Sequence, residues 1–160
     1  HLGEHGGFYA KMSIMDESAR APLIVAGAGI KAPGVAQGLV EYVDLFPTLV
    51  ELTGVPKPAG LQGTSFASQL RNPAGPGREG VYTIVLRGTG TGRAWHTPAY
   101  TYLEWPDGST QLYDVARDPH EYVNLAADPA QAVTLASMKL AMAKRREEIG
   151  VATAEAQRGR

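Results

Sequence analysis

Hydrophobic residues change their spacing several times along this sequence, and each change predicts a different element. Pro22-Leu23-Ile24-Val25-Ala26 is a short continuous apolar run, which predicts a buried strand of a mixed or parallel sheet near residues 22–27. Gly27 to Gly38 is punctuated by glycine and proline and reads as a loop. From Val40 to Gly54 the spacing becomes helical and predicts a helix within 43–53. Asp44 serves as its cap, Pro47 is tolerated in its first turn, Gly54 is its stop, and Leu45, Leu49 and Leu52 share its buried face. Pro56, Pro58 and Gly60 make a connector, and Thr64 to Leu70 reads as a short helix.

Asn72 to Gly80, with its prolines and glycines, is the candidate boundary between subdomains. Beyond it the spacing switches to period two. Val81–Arg87, Arg93–Thr97, Tyr100–Trp105 and Gln111–Val115 read as successive antiparallel strands, the last two joined by a Pro106-Asp107-Gly108 turn. Asp128-Pro129 then predicts the capped start of a helix over 129–149 that buries Val133, Ser137 and Leu140. Lys144, Arg145 and Arg146 sit near its C-terminus, where they suit the helix dipole. The order of elements implies an α/β chain with an appended four-stranded antiparallel sheet and a terminal helix.

Composition narrows the function classes. With 44% hydrophobic and 19% charged residues in 160, the chain has the balance of a folded globular protein. A formal net charge of -1 argues against a nucleic-acid partner. The apolar run from Pro22 to Ile30 is far too short to span a bilayer, and the absence of cysteine excludes disulfides and thiolate metal sites within the chain.

Two patterns invite a specific chemistry and do not carry it. His1-Leu2-Gly3-Glu4-His5 matches the H-x-x-E-H signature of one metallopeptidase class, which needs a helical turn to bring both imidazoles to one face. Gly3 within that turn and Gly6-Gly7 after it oppose the helix, and His5 reads as a loop histidine bonded to backbone. Gly88-Thr89-Gly90-Thr91-Gly92 lacks the Gly-Lys-Ser/Thr ending of a phosphate loop and precedes a strand, so it reads as a hairpin loop. Arg20 reads as a structural partner of Asp16 or Glu17.

Leu2-Gly3-Glu4-His5-Gly6-Gly7-Phe8-Tyr9-Ala10-Lys11, continued by Glu17-Ser18-Ala19-Arg20-Ala21-Pro22-Leu23, resembles the segment that follows the aspartate-histidine-glycine metal motif of formylglycine-dependent sulfatases. Gln111-Leu112-Tyr113-Asp114, then Asp118-Pro119 with Glu121, then Asn124-Leu125-Ala126, complete the likeness in the same order. In wording the chain is nearest the iduronate- and choline-sulfatase-like branches of the alkaline-phosphatase-like superfamily. The doubled Gly6-Gly7 and His96, where many relatives carry arginine, depart from the pattern.

The resemblance implies that Lys11 is catalytic, its ammonium set against the sulfate, and that His1 and His96 line the substrate pocket. It implies that Asp118, Glu121 and Asn124 hold turns. The substrate would be a sulfated small molecule or carbohydrate. The formylglycine nucleophile and a Ca2+ ion would be held by residues preceding His1, so no metal ligand is assigned here and the chain alone is expected to be inactive. Residues 1–75 would be the C-terminal remnant of an α/β catalytic domain, 76–150 an antiparallel-sheet subdomain with its helix, and 151–160 a frayed tail. A phosphomonoesterase or phosphonate monoester hydrolase of the same superfamily, or a non-catalytic carbohydrate-binding module, is the alternative, which a Cys/Ser-x-Pro-x-Arg motif upstream would decide.

Overall fold

A computed structural model describes residues 1–27, Ile30, 33–88 and 90–150. The expected tail over 151–160 and part of the Gly27–Gly38 loop lie outside the described residues. The elements in chain order are the short helical turns α1 (Glu4–Gly7) and α2 (Asp16–Ala19), α3 (Leu45–Thr53), α4 (Ala67–Arg71), strands β1 (Val81–Arg87), β2 (Gly90–His96), β3 (Tyr100–Glu104) and β4 (Thr110–Asp114), and α5 (Ala132–Glu148). Residues 1–21 together with those from Tyr82 onward make one compact unit, and Pro22–Val81 makes a second.

The period-two stretch folds as a four-stranded meander in the order β1-β2-β3-β4. Trp95 faces Tyr102 across β2 and β3, and Tyr102 faces Leu112 across β3 and β4. Because alternate residues point to opposite faces, the sheet has two apolar sides, and both are covered. On one side Trp95, Tyr102 and Leu112 pack with Met138 and Met142 of α5. On the other, Ala94, Leu103 and Tyr113 pack with Ile14, which is fully buried. The segment after Lys11 is therefore a layer of the sheet's core. Asn124 extends the β4 edge by accepting from Leu112 N at 3.0 Å. The hairpin turn closes as expected, Asp107 Oδ1 accepting from Ser109 N while Gly108 takes a φ of 85° that favours glycine.

The helices form where the sequence places them, but rotated. In α5 the buried residues are Met138 and Met142, whereas Val133 and Leu140 are exposed. The contact stripe 135–138–142 is as good a helical repeat as the one expected, and the flexible methionines take it. A 3-10 turn over Pro129–Gln131 precedes it, with Asp128 Oδ1 accepting from Ala130 N at 2.9 Å as a capping residue should.

In the Pro22–Val81 unit, α3 buries Pro47, Thr48 and Val50 while Leu49 lies exposed. Asp44 does not cap α3. It is a buried hub that accepts from Glu41 N at 2.9 Å, from Thr64 N at 2.7 Å and from the Arg78 guanidinium. Burial alone would raise its pKa, but Arg78 and the two N–H groups hold it below the usual carboxylate range. Thr48 faces this hub because its hydroxyl is spoken for, donating to Asp44 O and accepting from Phe66 N.

The expected strand at 22–27 does not form. Residues 22–26 belong to no ladder among the described residues, and Ile24 is 92% exposed. An apolar run becomes a strand only when a neighbour accepts its backbone hydrogen bonds.

Candidate functional site

The first ten residues form a closed loop. His1 N donates to Ala10 O at 3.1 Å and Gly3 N to Phe8 O at 3.1 Å. Gly3, Gly6 and Gly7 all have positive φ, and so does His5 at 53°, which breaks α1 into a kinked turn. No continuous helix runs from His1 to His5, so the metallopeptidase geometry does not arise. Glu4 instead accepts from Leu2 N at 2.5 Å.

Lys11 follows this loop. Its side chain is exposed, makes no hydrogen bond or ion pair among the described residues, and borders an open recess of about 490 Å³ lined by Phe8, Ala10, Met12, Leu86 and Gly88. Among the described residues of that lining it is the one charged side chain. Three residues on, Ile14 is buried under the sheet, so the ammonium stands on a fixed base.

All four histidines of the chain collect around the adjacent carboxylates Asp16 and Glu17. His96, 5% exposed on β2, sets Nδ1 at 3.1 Å from Asp16 Oδ1 and 3.3 Å from Thr101 Oγ1. The bond to His96 holds the Asp16 carboxyl below its usual range against the opposing effect of burial. Glu121, at 1% exposure and a φ of 55°, accepts from Asp16 N at 3.0 Å. Burial pushes its carboxyl up, only partly offset by that N–H. Glu121 was expected as a turn residue; its neighbours Asp118 and Asn124 do hold turns, while Glu121 reaches across to the segment behind Lys11.

Glu17 faces the other histidines. His5 Nε2 lies 3.5 Å from Glu17 Oε2 and His120 Nδ1 lies 3.9 Å from Oε1. The expected backbone partner of His5 is thus replaced by a carboxylate. The imidazole of His1 is wholly buried, with Nε2 at 2.8 Å from Ser13 Oγ. Arg20, expected to pair with Asp16 or Glu17, is exposed and pairs with neither among the described residues, though its charge helps to keep Asp16 acidic. Of the three residues the resemblance singled out, Lys11 alone is exposed; His1 faces inward to Ser13, and His96, from β2, faces Asp16 of the same segment. Sequence reasoning passed over Asp16, Glu17 and His120, because nothing in local spacing announces that residues about a hundred positions apart share one cluster.

These carboxylates come with imidazoles and offer no all-oxygen cage, so the described residues do not fit a calcium ion, whose ligands the resemblance places before His1. The chain has no cysteine and no Cys/Ser-x-Pro-x-Arg motif.

Residues 3–148 match the family model described as N-sulphoglucosamine sulphohydrolase, C-terminal. A Delta 4,5-hexuronate-2-O-sulfatase of Bacteroides thetaiotaomicron is 35% identical over 147 residues, covering 84% of this chain and 30% of its own length. Human arylsulfatase K is 31% identical over 144 residues, covering 77% of this chain and 25% of its own. Among solved structures, a 2-O GAG sulfatase superposes with a TM-score of 0.60 at 30% identity, over 67% of this chain and 24% of that one. The chain therefore spans roughly a quarter of the length of such relatives.

Proposed function

Since this chain belongs to the N-sulphoglucosamine sulphohydrolase C-terminal family of sulfatases, with an alkaline-phosphatase-like fold, we propose that it is the part of a sulfuric ester hydrolase that presents Lys11 to the substrate's sulfate. The observation that carries the proposal is the placement of Lys11: an ammonium without an ion pair among the described residues, at the mouth of an apolar recess and braced by the buried Ile14.

When a sulfate ester is cleaved, negative charge grows on the leaving oxygen as the S–O bond breaks. A fixed ammonium beside that oxygen stabilises the transition state more than the ground state. The nucleophile, read as a formylglycine hydrate, and the calcium ion are assigned to the part of the protein outside this chain. Sulfated carbohydrate is the substrate class proposed, by analogy with the hexuronate-2-O-sulfatase and the 2-O GAG sulfatase. His1 and His96 are assigned to holding the Lys11 segment.

The test is turnover of an unactivated sugar 2-O-sulfate by the whole protein. Lys11→Ala should lower kcat by roughly a hundred- to thousandfold, about 3–4 kcal/mol, with a smaller change in KM. Lys11→Arg should rescue poorly, because a planar fork replaces a point charge. Turnover within about threefold of the unsubstituted enzyme, some 0.65 kcal/mol, would sink the assignment.

A further inference from the structure

We propose that His1, His5 and Glu17 form a binding site for a transition-metal ion of the zinc class. A ring nitrogen of His1, one of His5 and a carboxylate oxygen of Glu17 lie within 4.8 Å of one another, and His5 Nε2 is 3.5 Å from Glu17 Oε2. A tetrahedral ion with metal–ligand bonds of about 2.0–2.2 Å holds its ligand atoms about 3.3–3.5 Å apart. One pair already stands at that separation, and the third atom needs a shift of at most about 1.5 Å, which a loop with Gly3, Gly6 and Gly7 absorbs.

The donor atoms face one another without hydrogen bonds, their only other contacts being Glu4 Oε2 at 3.7 Å from His1 Nδ1 and His120 Nδ1 at 3.9 Å from Glu17 Oε1 among the described residues. The side chains of His1, His5 and Glu17 are 0%, 15% and 18% exposed. Yet His1 Nδ1, His5 Nε2 and both Glu17 carboxylate oxygens are buried with no hydrogen bond. Burying polar groups in that state is costly unless something binds them. A proton on His5 would satisfy one Glu17 oxygen and still leave His1 Nδ1 without a hydrogen bond, Glu4 Oε2 standing 3.7 Å away. A single divalent ion satisfies all three residues.

The surroundings are those of a metal-binding histidine. His1 places its other ring nitrogen 2.8 Å from Ser13 Oγ, the kind of outer hydrogen bond that fixes a ligating imidazole's tautomer and direction. The rings are walled by Phe8 against His1 and Tyr122 against His5, with centroids 5.0 and 5.3 Å apart. The left-handed backbone of His5 is a strained conformation for a non-glycine residue, and it is what turns that ring toward His1. Two imidazoles and one carboxylate are a donor set for zinc, cobalt or nickel and a poor one for calcium. Glu4 stands 3.7 Å from His1 Nδ1 and accepts from Leu2 N, and the carboxylate that completes the set is Glu17.

The whole protein, stripped by chelator, is titrated with zinc chloride against a chromophoric competitor, and with cobalt chloride for its visible spectrum, in excess calcium. The expected result is one zinc equivalent that calcium does not displace. Glu17→Gln and His5→Ala should weaken it at least a hundredfold, and Ser13→Ala about tenfold. The cobalt form should show the intense visible bands of a four- or five-coordinate ion, lost in the same variants. Near-ultraviolet circular dichroism checks that each variant is folded. If His5→Ala is not, the Ser13→Ala shift and the cobalt spectrum decide. Zinc binding of equal strength and stoichiometry in the unsubstituted protein and the Glu17→Gln and Ser13→Ala variants would overturn the proposal, as would no zinc bound by the unsubstituted protein.

Discussion

At the scale of residues, Asp16 and Glu121 pull in opposite directions on the pH axis. Asp16 has a folded pKa below its ordinary 3.8, so its bond to His96 contributes stability above that value and loses it as pH falls through the lower folded value. Glu121 has a folded pKa above its ordinary 4.5, so its contribution is complete below 4.5 and is lost as pH rises through the raised value. Urea unfolding across a pH series should therefore show an acid limb removed by Asp16→Asn and an alkaline-side decline removed by Glu121→Gln. The Gln variant keeps an acceptor for Asp16 N without a charge to bury, and should match or exceed the unsubstituted protein at mildly alkaline pH. Glu121→Ala leaves that N–H unsatisfied and should lose about 1–3 kcal/mol. An Ala variant as stable as the Gln variant would contradict this account. None of it was legible beforehand: Asp118, Glu121 and Asn124 look alike as turn residues, and only the fold sends one of the three inward.

At the scale of elements, what could be read depended on the period. Strands β1 to β4 were visible because alternation has only two phases and both faces of this sheet are apolar. Helix existence was equally visible, since Asp128-Pro129 and Gly54 mark an entry and a stop. Helix phase was not, because α5 is rich in alanine and lysine and offers several weak stripes, and because α3 buries a threonine and a proline for the sake of the Asp44 hub. The consequence is a contrast between neighbouring substitutions. Met142→Ala, under Trp95 and Tyr102, should cost about 2–5 kcal/mol, whereas Val133→Ala and Leu140→Ala should stay within about 0.5 kcal/mol. In the other unit, Asp44→Ala takes the near carboxylate from the Arg78 guanidinium and strands the Glu41 and Thr64 N–H groups, and should cost about 3–5 kcal/mol. Chemical denaturation of the three α5 variants side by side checks the helix phase directly.

At the scale of the whole molecule, the family was legible in three short motifs, while the clustering of four histidines around Asp16 and Glu17 was not, being assembled from both ends of the sequence. The exposed run at Leu23 and Ile24 belongs to this scale too. Studied as an isolated 160-residue polypeptide, the chain should self-associate through it. Ile24→Lys should shift its sedimentation profile toward monomer, and an unchanged profile would point to another surface. Ile14 and Asp16 meet partners on β2, β3 and the turn at Glu121, and the last of these lies 105 residues downstream of Asp16. On a ribosome adding about 5–20 residues per second, the lysine's seat would wait roughly 5–20 s for the segment that anchors it. A chain released before Glu121 emerges would hold every residue of the Lys11 loop and its seat on β2 and β3, yet lack the carboxylate that receives the Asp16 N–H, so the last clasp on that loop is set by a residue synthesised long after it.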